Sequence, residues 1–170
     1  MIVSLLFRLV ALLFLLRFVL QATQADFYNP ISQVVIKGSD PLAKPLRALL
    51  PNLGRCDLAS LILAWATGVI FIALISQGAL PITSMLGLGL VTTLSVLVDF
   101  YWWTLLFVIV MSFISPGNSH PVLSLADQMI NPLLDPIRKI LPTAGPLDFS
   151  PLVFILLLSI LQNLLQGLVR

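Results

Sequence analysis

Apolar residues gather along the chain in four long runs, at about residues 2–22, 58–76, 93–114 and 151–168. Each run approaches the ~20 residues that an α-helix needs to cross ~30 Å of hydrocarbon. The third lies inside a longer apolar stretch, residues 86–114. The surplus is absorbed by tilt, or by a first part lying at the interface. An uncharged, turn-like link, "SQGALPITS", separates the second run from the third. Arg8 and Arg17 interrupt the first run, where a cleaved signal peptide wants an unbroken core, and "QATQADF" lacks a small-x-small cleavage site. The first run is therefore read as a retained span.

The polar segments carry a second pattern. "PLAKPLRALLP" at Pro41–Pro51 returns as "PLLDPIRKILP" at Pro132–Pro142, an offset of 132 − 41 = 91 residues. At that offset Pro45 falls on Pro136, Arg47 on Arg138, Pro51 on Pro142, Gly54 on Gly145, Asp57 on Asp148 and Pro30 on Pro121. The first span falls on the third and the second on the fourth. Two repeats follow, residues 1–80 and 81–170, each a span, an amphipathic loop and a span. An even number of spans per repeat gives both the same orientation, as in parallel repeats. The expected fold is an all-α membrane protein of four transmembrane helices.

Within each loop the turn chemistry predicts two short helices. Asn29 caps one that starts at Pro30 and stops at Gly38. His120 takes the equivalent cap position before Pro121. In the second helix Pro41 and Pro45, or Pro132 and Pro136, occupy the first turn, where the missing N–H costs nothing, and Pro51 or Pro142 ends it. Leu42, Leu46, Leu49 and Leu50 then form an apolar stripe turned to lipid or to the bundle, opposed by Lys44 and Arg47. Leu133, Ile137, Ile140 and Leu141 repeat the stripe, opposed by Asp135, Arg138 and Lys139. Asp57 and Asp148 cap the spans that follow, with Ser150–Pro151 a further start signal.

Composition narrows the class. Hydrophobic residues make up 59% and charged residues 9%, and all seven acids are Asp. Soluble domains carry roughly a quarter charged residues, so a water-soluble globule is excluded. The net charge of +2 shows no basic run for nucleic acid, and Cys56 is alone, which leaves no disulfide framework. Lys37, Lys44, Arg47, Arg55, Arg138 and Lys139 all lie in the two loops. The positive-inside rule puts both loops in the cytoplasm and both termini outside.

Three charges fall inside predicted spans, Arg8, Arg17 and Asp99, at a cost of at least ~2.5 kcal/mol each on insertion scales. Arg8 falls on Asp99 at the repeat offset, which suggests an ion pair. The alternative is that Arg8 snorkels outward and Arg17 to the cytoplasmic interface. Gln162, Asn163 and Gln166 either bond neighbouring helices or line a polar path. The cluster Tyr101, Trp102, Trp103 is either an interfacial belt or a packing surface. Arg47 and Arg138 pair with Asp57 and Asp148, or, with Lys44 and Lys139, hold anionic lipid head groups. No metal cluster, P-loop or nucleophile elbow occurs, so no enzyme activity, cofactor or metal is expected.

The duplicated phrase P-L-x-x-P-[LI]-R-x-[LI]-L-P-x-x-G-x-x-D, with "DFYNPISQ" before the first copy and "LDFSPLV" at the end of the second, resembles the YggT/YlmG family of small bacterial and plastid membrane proteins. The residues carrying the resemblance are Asn29, Pro30, Pro41, Pro45, Arg47, Pro51, Gly54 and Asp57. In the second copy they are Pro132, Pro136, Arg138, Pro142, Gly145, Asp148, Ser150 and Pro151. The first copy departs slightly, with "GRCD" where the second has "GPLD". The resemblance implies a non-catalytic role: a membrane scaffold or assembly factor linked to cell division or membrane-complex biogenesis. The alternative it implies is a component of ion transport, potassium uptake or osmotic-stress tolerance. Expected partners are the bilayer with anionic lipids, membrane or division proteins, or a second copy in a homo-oligomer.

Overall fold

The apolar runs have no partner for their backbone polar groups in hydrocarbon other than themselves, which makes helix the only open structure that can span. In the computed structural model, which describes residues 2–50, 54–114, 120–141 and 148–169, every regular element is helical. The order is α1 (Ile2–Ala22), α2 (Pro30–Leu49), α3 (Leu58–Ile75), α4 (Ile82–Ile114), α5 (Pro121–Ile140) and α6 (Ser150–Val169). Helices α1, α3, α4 and α6 are long and apolar enough to cross a membrane. The chain is thus an all-α, multi-pass membrane protein. The 80/81 boundary falls in the link between α3 and α4.

The four spans pack in a row of interfaces. α1 lies against α3, α3 against α4, and α4 against α6; the direct α1–α4 contact is smaller. Lipid tails are as apolar as leucine, so burying hydrocarbon drives little association here, and close backbone approach matters more. The α3–α4 crossing shows this. A Cβ on Gly68 would stand 2.3 Å from the Gly89 carbonyl oxygen, and one on Gly89 would stand 2.6 Å from Val69 Cγ2. Thr93 Oγ1 reaches across the same crossing to donate to the Ala64 carbonyl at 3.2 Å.

The helix that holds the third apolar run is longer than that run: α4 starts at Ile82 and runs 33 residues, ~50 Å at 1.5 Å per residue, with residues 93–114 as its second part. Gly87 and Gly89 lower helix propensity there. Packing on α3 overrides that preference at Gly89.

Each loop holds one helix rather than two. α2 runs unbroken through Gly38, with Pro41 and Pro45 in its interior; Pro132 and Pro136 are likewise inside α5. A mid-helix Pro removes one hydrogen bond to the carbonyl four residues earlier. Residues 37, 41 and 45 share one exposed face, so the freed carbonyls at Lys37 and Pro41 meet solvent rather than the core. Gly38 is a point of close approach, where an added Cβ would sit 3.3 Å from Leu13 of α1. The face of α2 turned to the bundle is Ser32, Val35, Ser39 and Ala43. The Leu42–Leu49 stripe points outward, with Leu49 78% exposed. In α5 the inward face is apolar: Leu125, Ala126, Met129, Ile130 and Leu134.

α2 and α5 meet near their N-terminal ends. Asn29 Nδ2 donates to the Pro121 carbonyl at 2.8 Å, and the Asp26 amide donates to Gln128 Oε1 at 2.7 Å. Beneath them Val19, Leu20, Val35, Leu125 and Met129 form one apolar cluster that ties both helices to the end of α1.

Candidate functional site

Helix caps place the carboxylates. Asp57 is the N-cap of α3, accepting from the Ser60 amide at 3.3 Å and from Ser60 Oγ at 2.7 Å. Gly54, at φ +60°, makes the left-handed turn that brings the chain from the end of α2 to this cap. Asp148 accepts from the Ser150 amide at 2.9 Å at the start of α6. Asn29 and His120 cap α2 and α5 through the amides of Ile31 and Val122, at 3.0 and 3.3 Å. Pro51, Pro142 and Gly145 lie outside the described residues.

Arg47, in the last turn of α2, donates from Nε and Nη2 to the two oxygens of Asp57, Nε at 3.2 Å. The bidentate fork suits a planar guanidinium. Asp57 is fully buried at 0% exposure. Two further groups join. Asp40 lies 3.6 Å from Arg47 Nη1 and takes Lys44 Nζ at 2.9 Å. Arg17, from α1, stands 3.9 Å from both Asp40 and Asp57, with its guanidinium 5.7 Å from the Phe27 ring centre. Three cations thus surround two carboxylates where α1, α2 and α3 meet. Burial pushes the Asp57 carboxyl up, but the hydrogen bonds from Arg47 and Ser60 outweigh it and hold it below its ordinary value.

Arg17 therefore does not snorkel. Its side chain is 90% buried, with Asp40 of α2 and Asp57, the cap of α3, supplying the counter-charge. At 3.9 Å these contacts are ionic rather than hydrogen bonds. Arg17 Nε and Nη1, Ser32 Oγ and Asp40 Oδ1 find no hydrogen-bond partner among the described residues.

The second half builds a lighter version. Arg138 donates from Nε to Asp148 at 2.9 Å, and from Nη1 to Asn131 and Asp135, both at 3.1 Å. All of these charges are exposed. At the offset of 91 residues, Arg17 falls on Val108, Asp40 on Asn131 and Lys44 on Asp135. Val108 packs in an apolar cluster with Leu134 and Leu158, so nothing there draws Arg138 inward. The Ser150 amide and Arg138 hold the Asp148 carboxyl low, against some opposition from burial. For Arg138, burial lowers the pKa, but Asp148 and Asp135 raise it more. Lys139 is exposed.

A second polar site lies toward the opposite end of the bundle. Arg8 Nη1 stands 3.4 Å from Asp99 Oδ2, and Gln162 Nε2 donates to Asp99 Oδ1 at 2.9 Å. Ser4, Thr92, Ser95 and Gln166 join them around a cavity of 340 Å³, with Phe7, Phe71 and Val96. Arg17 is not part of it. Asn163 bonds within its own helix, to the Ser159 carbonyl at 2.9 Å. The aromatic cluster divides: Trp102 Nε1 donates to Ser159 Oγ of α6 at 3.1 Å, whereas Trp103 is 64% exposed on the outer surface. Among the described residues no group of three metal-ligating side chains occurs.

The CCB3/YggT family model matches residues 1–78 and 87–169, almost the whole of this chain. The chain belongs to the CCB3/YggT family. Its relatives include the Escherichia coli K12 "Uncharacterized protein YggT", 38% identical over 91% of this chain and 82% of that protein. A Vibrio alginolyticus protein, described as an uncharacterized protein in the proC 3′ region, is 37% identical over 97% of this chain and 91% of its own length. An uncharacterized Pseudomonas aeruginosa protein is 36% identical over 90% and 80%. No solved structure matches. Within this CCB3/YggT chain, sequence reading missed Asp40 and the inward turn of Arg17. Asp40, Lys44 and Arg47 stand at i, i+4 and i+7, one helix face, and that spacing was the available signal.

Proposed function

We propose that the protein is a non-enzymatic membrane scaffold or assembly factor, set in a bacterial inner membrane with α2 and α5 on the cytoplasmic side and both termini outside. α2 and α5 form a platform for anionic lipids and for membrane proteins of the division or membrane-complex machinery. The observation that carries this reading is the anchoring of α2. Arg47 is clamped to the α3 cap, Arg17 and Asp40 fix α2 to α1, and the stripe with Leu42 and Leu49 is left facing outward. A helix held this firmly with its apolar stripe turned away from its own protein suits docking better than gating. The core also supports a non-conducting role. Phe7, Ala11, Phe14, Leu15, Ala64 and Val96 form an apolar core, and Arg17, Asp40 and Asp57 are not among the residues that line the polar cavity.

Photo-crosslinkers at Leu42, Leu49 and Ile140, in cells, test it. The reading expects discrete membrane-protein or lipid adducts that diminish when Arg47 and Arg138 are both replaced by Ala. Adducts unchanged by the double substitution would count against the platform. A second reading, an ion-transport component active in osmotic stress, is favoured by the cavity at Arg8, Asp99, Gln162 and Gln166. In it the cavity is the outer half of a path completed by a homo-oligomer or a conformational change.

A further inference from the structure

Two cavities run end to end along the seam between α1 and α4. One, of 300 Å³, lies below α2 and α5; the other, of 270 Å³, reaches the Arg8–Asp99 pair. They share Phe100, Trp103 and Thr104, which makes them one groove. Its wall on α1 is a single stripe, Leu9, Leu12, Leu16 and Leu20, and on α4 it passes from Val96 to Phe107. From Arg8 to Leu20 is twelve residues, ~18 Å of helix. One leaflet of hydrocarbon is ~15 Å, half of the ~30 Å core.

The walls are apolar almost throughout. The Thr104 hydroxyl is already spent on the Phe100 carbonyl at 2.7 Å. Water needs two to four polar partners to occupy a cavity, and before its far end the groove offers at most the Thr104 oxygen as acceptor and the Trp103 indole N–H as donor. An empty groove forfeits dispersion contacts on every wall. Val35 and Met129 close it at the α2–α5 end, and the Arg8–Asp99 pair, which also faces the polar cavity, closes the other. The open side is marked by exposed Trp103.

We propose that this groove is a lipid site holding one acyl chain of a phospholipid from the leaflet beside α2 and α5, with the methyl end directed toward Arg8–Asp99. The site is independent of whether the protein scaffolds or transports. Leaflet-length depth, apolar walls and lateral opening together select a linear hydrocarbon over a polar solute or a peptide.

Mass spectrometry of the protein released from detergent tests it. One phospholipid per wild-type chain is expected. Thr104→Trp, which plugs the junction of the two cavities, and Ala126→Trp, which fills the upper one, should lower its retention at least tenfold. Leu94→Trp, on an exposed face outside the groove, should not. A second measurement needs no plug. In Trp65→Phe/Trp102→Phe protein, Trp103 is the remaining tryptophan, and phospholipid with brominated chains should keep quenching its emission after a detergent wash. No retained phospholipid, a retained isoprenoid instead, retention unchanged by a folded plug variant, or full recovery of emission on washing would each overturn the assignment.

Discussion

Asp57 and Asp148 hold equivalent positions in the two halves, yet their surroundings predict different costs for the same substitution. Replacing Asp57 by Ala leaves Arg47 and Arg17 facing each other with Asp40 as the remaining carboxylate. Removing one partner of a buried pair costs about 3–5 kcal/mol, and losing a helix cap costs about 1 kcal/mol more. Asp148→Ala removes a cap of similar worth but an exposed ion pair worth about 0.2–1 kcal/mol. The expected losses are therefore about 4–6 and about 1–2 kcal/mol. Asp57→Asn keeps the cap acceptor and removes only the charge, so it should recover about 1 kcal/mol of the Ala loss. The assay is reversible unfolding in mixed detergent–SDS micelles, followed by loss of helical circular dichroism. Equal costs for Asp57→Ala and Asp148→Ala, or a neutral Asp57→Asn, would refute the claim that the first cluster is the buried anchor.

The pH dependence has a fixed sign. Because Asp57 and Asp148 are held below their ordinary 3.8, the stability they contribute is present above that value and is lost as pH falls through their lower folded values. An acid titration of unfolding should show wild type losing stability below about pH 4, with a shallower loss in Arg47→Leu/Asp57→Leu. Gly68→Ala should destabilise by about 1–3 kcal/mol through its clash with the Gly89 carbonyl. Gly87→Ala, which meets nothing within 4 Å, should be neutral or stabilising in the same unfolding assay. Arg8→Leu and Asp99→Leu together should cost less than the sum of the two alone; additive losses in a double-mutant cycle would reject the pair.

The spans were legible because length and apolar content decide them locally, and so were the caps at Asn29 and His120. Helix α2 was misread for a local reason as well. Gly38, Pro41 and Pro45 each weaken a helix on propensity alone, and only the packing of Gly38 on Leu13, with the prolines turned outward, makes one continuous helix tolerable. The charge cluster was half legible. Arg47 and Asp57 stand ten residues apart on either side of a turn, close enough to consider as a pair. Arg17 lies a whole span away, and its partner Asp40 depends on which face α2 turns inward. The repeat offset already suggested the Arg8–Asp99 pair; the link from Asp99 to Gln162, 63 residues later, needed the α4–α6 packing.

The reading of the protein as a non-conducting scaffold is tested most directly by ion flux in liposomes holding the purified protein alone, at densities where second copies can meet. The account predicts no flux above protein-free liposomes for wild type, and none for Arg47→Ala/Arg138→Ala. Flux carried by wild type and abolished by Arg8→Leu or Asp99→Leu would contradict it and make the polar cavity the entrance to a path.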